Sequence, residues 1–164
     1  MPTPILVTLT AEEFEMAQTE GAARWKSVTD RNAKGTGLPS QSRYHTIGVL
    51  GEVAFAKWSG LPWLAPKGAN YIRECSDVGT MEVKTRYLGS GPDIYARFNE
   101  VDKYSPDQLY VLAWSDAKRK VYLVGYTSLG TIVDYGTYDP RWEAYILPWQ
   151  NCCDLKELFH GIRT

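Results

Sequence analysis

Histidine, cysteine and charge of one sign are all scarce in this chain, and each shortage removes a class of function. Only His45 and His160 are present, and no Gly-x-Ser-x-Gly turn occurs, so serine or cysteine hydrolysis has little to work with. The three cysteines, Cys75, Cys152 and Cys153, show no Cys-x-x-Cys spacing. A zinc site on His45 and Cys75 would need two further ligands, and none is suitably spaced. An odd set of free thiols fits a reducing, cytoplasmic compartment. Gly35-Thr36-Gly37 lacks the spacing and the lysine of a phosphate loop, which removes nucleotide-dependent phosphoryl transfer. The formal charge of -1 argues against a protein that coats nucleic acid, because such affinity comes from neutralising many phosphates. No apolar run approaches membrane-spanning length, and Met1-Pro2-Thr3-Pro4 has none of the regions of a signal peptide. The expectation is a soluble protein with no membrane partner.

What is present is ordinary globular composition in a length of 164 residues, enough for one domain with a real core spanning residues 1 to 164. Ile5 to Leu9 reads as a short strand. Thr10-Ala11-Glu12-Glu13 has the form of a capping box, opening a helix whose apolar stripe runs through Phe14, Ala17, Gly21, Trp25 and Val28. Residues 31 to 42 are rich in turn formers and read as a loop, either bordering a substrate channel or serving only as a surface connection. Further strands are expected at Asp93 to Phe98, Leu109 to Ser115 and Val121 to Tyr126, with Ala144 to Leu147 as an edge strand ended by Pro148. Leu109 to Ser115 is nearly all apolar, which places it centrally in the sheet, buried on both faces. Asp154 caps a terminal helix that Gly161 would stop. The element order indicates α/β, bordering on α+β, with a mixed sheet flanked by helices.

Chemistry concentrates in Asp77-Val78-Gly79-Thr80-Met81-Glu82-Val83-Lys84. Residues 71 to 78 and 81 to 88 have strand-like content, and Gly79-Thr80 suits a two-residue turn with glycine first. In that register Asp77 lies opposite Glu82. The period of two adds Lys84, Arg86, Arg73 and Cys75 to the same side, while Met81, Val83 and Tyr87 face the core. Opposed carboxylates repel, and the repulsion is offset by a proton, by Lys84 or an arginine, or by a hard cation such as Mg²⁺. A solvated hairpin whose charges pair among themselves is the alternative.

Ahead of the hairpin, Ile47, Leu50, Gly51, Ala54 and Trp58 recur at the helical period, and Gly60 with Pro62 ends the helix. Glu52 lies off the centre of this stripe, flanked one turn either way by the small residues Gly48 and Ala56. His45, two turns earlier, shares nearly the same angular position, so one helix edge offers an imidazole and a carboxylate to the same place. A plain surface glutamate is the alternative.

The segment Gly48 to Trp58, Asp77, and Glu82-Val83-Lys84 together resemble the PD-(D/E)XK nuclease superfamily, most nearly its small bacteriophage members. Serine stands at residue 76, where the signature has proline, and the gap between Asp77 and Glu82 is short. The resemblance implies a restriction-endonuclease-like core and a Mg²⁺ site, with Mn²⁺ as substitute, for phosphodiester hydrolysis. It implies Asp77 and Glu82 as direct metal ligands, the Val83 carbonyl as another, Glu52 as an outer or second ligand, and Lys84 as the residue that positions or activates water. His45, Arg73 and Arg86 become candidates for contact with nucleic acid. The expected activity is that of a deoxyribonuclease, endonucleolytic rather than exonucleolytic, in the host cytoplasm if phage-encoded; homodimerisation stays open. The other reading is a catalytically silent module on the same fold that binds nucleic acid or protein.

Overall fold

The computed structural model describes residues 1–31, 42–63 and 77–160. The chain begins with β1 (Ile5–Thr8), α1 (Ala11–Arg31) and α2 (Ser42–Ser59). β2 (Glu82–Tyr87), β3 (Ile94–Arg97), α3 (Phe98–Lys103), β4 (Leu109–Ser115) and β5 (Lys120–Ser128) follow. The remainder is α4 (Leu129–Tyr135), β6 (Thr137–Asp139), β7 (Ala144–Leu147), a 3-10 turn at Trp149–Asn151, and α5 (Leu155–Phe159). The expected α/β content with a mixed sheet and flanking helices is present. Strands run in the order β1-β5-β4-β2, with β1 and β4 antiparallel to β5 and β2 parallel to β4.

The near-continuous apolar run of β4 is explained by an apolar core on each of its faces. Val111 and Ala113 join a core with α2 residues Leu50, Val53, Ala54 and Phe55. Tyr110 and Leu112 point the other way, into a second core with Ile94, Leu129, Ile132 and Leu147. Alternation along one strand thus serves two apolar layers.

Local signals work as expected at several ends. Thr10 Oγ1 accepts the Glu13 N–H at 3.1 Å and Glu13 accepts the Thr10 N–H at 3.3 Å, closing the capping box of α1. Gly60 ends α2 at φ +74°, where a side chain would be strained. Asp154 accepts the Lys156 N–H at the start of α5.

Four expectations are corrected. A second, three-stranded sheet exists in the order β3-β7-β6. Ala144–Leu147 is therefore its central strand, not an edge, because the unanticipated β6 pairs with its far side. The strand at Asp93 to Phe98 is shorter: Glu100 accepts the Arg97 N–H at 2.7 Å and turns the chain into α3 at Phe98. Tyr87 is half-buried under the Arg43 guanidinium, 4.6 Å from its ring centroid, and is not a core residue. Arg73, Cys75, Gly161 and most of the 31 to 42 loop lie outside the described residues.

Candidate functional site

The hairpin turn forms as its residues require. Val78 and Met81 pair, Met81 N–H donates to Val78 O at 2.9 Å, and Gly79 takes φ +57° at the first turn position, the left-handed region that glycine enters without strain. This register sets Asp77 beside the start of β2. Its Oδ2 accepts the Val83 N–H at 2.8 Å, so one carboxylate oxygen is fixed by the neighbouring strand's backbone.

β2 is the last strand of its sheet, and a cavity of about 280 Å³ wraps around that edge. Asp77, Glu82, Val83, Lys84, Glu52 and His45 all line it. Six of the eight site residues expected from the sequence therefore meet in one place. Arg86 shares their side of β2 but donates to the carbonyls of Ser90 and Gly91 at 2.9 and 3.2 Å, which ties it to the following turn. Arg73 lies outside the described residues.

Glu52 is not a surface glutamate. It is 4% exposed, and Arg24 of α1 grips it with both guanidinium arms, Nη1 to Oε1 at 2.7 Å and Nη2 to Oε2 at 2.9 Å. The Trp63 indole adds a third donor to Oε2 at 2.9 Å. Arg24 also donates from Nε to Glu20 at 3.0 Å. Helices α1 and α2 approach closely enough for this because Gly21 faces Thr46, where an added Cβ would lie 2.6 Å from Thr46 Cα. Burial, with the Asp77 charge adding, raises the Glu52 pKa despite the arginine.

Lys84 has its own, partly buried partner. Its Nζ lies 2.6 Å from Glu100 Oε1, with the rings of Tyr95 and Tyr110 centred 5.2 and 5.5 Å away. Burial works against the ammonium charge, but Glu100, then Tyr95 and Glu82, overcome it and raise the Lys84 pKa. Lys84 is therefore a charged donor at neutral pH, which disfavours it as a proton-abstracting base. Glu100 is itself held by the Arg97 N–H and by the Tyr110 hydroxyl at 3.3 Å. Tyr104 donates to Glu82, and burial together with Glu82, Glu100 and Asp77 raises its pKa.

Four carboxylates, Glu52, Asp77, Glu82 and Glu100, and four cations, Arg24, Lys84, Arg97 and Lys103, line the pocket, and Glu52 and Glu100 are ion-paired within it. Among the described residues, no group of three or more His, Cys, Asp and Glu side chains is gathered as a ready metal cage. Asp77, Glu82 and Val83 nevertheless line one cavity, and two carboxylates with a main-chain carbonyl are the kind of all-oxygen set that suits a hard cation that keeps several waters. That donor set fits Mg²⁺.

Reasoning from the sequence missed Arg24, Glu20, Glu100, Tyr95, Tyr104 and Trp63. Arg24, close to Lys26 in the chain, is 3% exposed. A signal for it existed: Ala17, Glu20, Gly21 and Arg24 recur at i, i+3, i+4 and i+7, so two charged residues share the buried stripe of α1. The pairing of Lys84 with Glu100 had no sequence signal. The small residue that lets the sheet approach α2 is Gly51 and not Gly48: a Cβ at Gly48 meets nothing within 4 Å, whereas one at Gly51 would collide with the Thr85 hydroxyl. The basic run Lys118-Arg119-Lys120 leads from the β4-β5 turn into β5, and Arg119 donates to Leu9 O at 2.8 Å. No described helix is long and apolar enough to cross a membrane.

No family model, curated protein or solved structure matches this chain.

Proposed function

We propose that this chain is a metal-dependent nuclease that hydrolyses phosphodiester bonds in DNA, endonucleolytically, with Mg²⁺ as its ion and Mn²⁺ as a substitute. The observation that carries the reading is the convergence of Asp77, Glu82 and the charged Lys84 on one cavity edge, with Glu52 from a separate helix completing the wall. Asp77 and Glu82 would hold the ion, with the Val83 carbonyl. The bound ion lowers the pKa of its water and neutralises the scissile phosphate.

The chain's own residues supply the rest. Lys84, kept charged by Glu100, orients water or a phosphate oxygen as a hydrogen-bond donor and offsets charge that develops in the transition state. Tyr104 and the Val83 N–H hold the two ligand carboxylates in place, the support that ligating carboxylates need from neighbouring groups. His45, Arg97 and Lys103 on the cavity wall face the path of a phosphate backbone.

The silent module remains the second reading, favoured by one observation: Glu52 and Glu100 already carry protein cations. Incubation with Mg²⁺ or Mn²⁺ and supercoiled, linear, single-stranded and branched DNA separates the two. Cleavage is expected with the parental chain and none with Asp77→Asn or Glu82→Gln, each of which keeps the side-chain shape. Absence of any cleavage across the panel, with no divalent ion bound, would leave only the silent module.

A further inference from the structure

Glu52 was expected to serve as an outer or second metal ligand, and the hydrogen bonds around it decide between those roles. A carboxylate offers about four lone-pair positions. Three are taken here, by Arg24 Nη1 on Oε1 and by Arg24 Nη2 and Trp63 Nε1 on Oε2. The guanidinium cannot give up its proton and cannot leave, because Glu20 holds its Nε at 3.0 Å and the arginine is 3% exposed. Turning Glu52 toward an ion would strand a buried arginine next to a divalent cation, and breaking a buried pair in this way is strongly unfavourable.

We infer that Arg24 is a positioning residue that acts through Glu52: it keeps that carboxylate out of direct coordination, so the pocket takes up one divalent ion rather than two. The inference rests on the nuclease reading and narrows it. With Glu52 held by Arg24 and Glu100 by Lys84, Asp77 and Glu82 are the carboxylates on this wall left to coordinate directly. Mg²⁺ in phosphoryl-transfer sites typically takes one or two carboxylates and fills its remaining positions with water and phosphate. Two carboxylates and one carbonyl are a single ion's share. Glu52 then acts at a distance, through its charge and through any water that bridges to the ion.

Two groups already in place report on this without any nucleic acid. The Val83 N–H donates to Asp77 and senses the ion directly, while the Trp63 indole N–H donates to Glu52 and senses whether that carboxylate moves. In a Mg²⁺ titration of the full chain followed by proton-nitrogen NMR, the Val83 signal is expected to move and the Trp63 indole signal to stay. Counting bound Mn²⁺ by electron paramagnetic resonance is expected to give one ion. Arg24→Lys keeps the charge but loses the two-armed grip, so it is expected to take up a second Mn²⁺ and to make the Trp63 signal follow the ion.

Two ions on the parental chain, or a Trp63 signal that moves together with Val83, overturns the inference and leaves the nuclease reading standing. One ion on a folded Arg24→Lys also overturns it. Should Arg24→Lys fail to fold, Glu52→Gln decides: one Mn²⁺ retained with affinity lowered by no more than about 100-fold supports the inference, and loss of the ion overturns it. No divalent ion on the parental chain overturns both.

Discussion

Two cations, Arg24 buried and Lys84 partly buried, flank the carboxylates of this pocket, and they are held in different ways. Arg24 and Glu52 join two packed helices through a forked, two-bond contact, with side chains 4% and 5% exposed. Lys84 and Glu100 join a strand to a short helix through one contact, with side chains 15% and 13% exposed. A guanidinium fork fixes its partner's orientation, whereas an ammonium on a four-carbon stem can rotate its donors toward a new acceptor. The comparison teaches that similar charges in one pocket need not be equally fixed: the first pair is suited to a scaffold, and on the proposed nuclease reading the second is the one that would serve the reaction.

Replacing Lys84 should expose that difference most strongly. Lys84→Ala is expected to lower single-turnover cleavage by about 10² to 10⁴-fold, the range for a proton-handling or charge-stabilising group. Metal affinity should stay near the parental value. A variant that cleaves at the parental rate in saturating Mg²⁺ would make this lysine as structural as Arg24 and erase the contrast.

Arg24→Ala should act on stability first. Removing one member of a buried pair costs about 3 to 5 kcal/mol, here with both Glu20 and Glu52 left behind, so denaturant melts in EDTA should show a large loss before any assay of cleavage. Glu100→Gln should cost less, about 1.5 to 3 kcal/mol, the worth of a hydrogen bond to a charged group. If Glu100→Gln proves the more damaging of the two, the assignment of scaffold and reactive pair is reversed.

The smallest effects sharpen the comparison along α2, which carries Glu52. Gly51→Ala should destabilise by about 1 to 3 kcal/mol through overpacking, since its Cβ would meet Thr85. Gly48→Ala, one turn earlier and facing open cavity, should stabilise the helix by about 0.5 to 1 kcal/mol. Thermal melts of the two variants check both signs, and a loss at Gly48 would mean that the cavity wall is tighter than its geometry implies.

Much of the fold was legible because it rests on local rules. The turn at Gly79, the capping box at Thr10 and Glu13, and the doubly buried run of β4 each follow from neighbours in the chain. The second sheet was not legible, because Thr137–Asp139 is only three residues long and carries two exposed positions. Its identity as a strand comes from pairing with β7, and that pairing moves β7 from edge to centre.

For the site, the sequence by itself determined which groups can do chemistry: Asp77, Glu82 and Lys84 are placed by a period of two and one tight turn, and Glu52 by one helix. Tertiary structure alone decided which of those groups is already committed. Arg24 stands 28 residues from Glu52 and Glu100 stands 16 from Lys84, distances at which no helical or strand period operates. Only the close packing of α1 on α2, and the position of α3 on β3, which lies against β2, bring each cation within hydrogen-bond reach of its carboxylate. The deeper burial of the first pair, together with its two-armed contact, then fixes Glu52 more firmly than the single contact fixes Glu100.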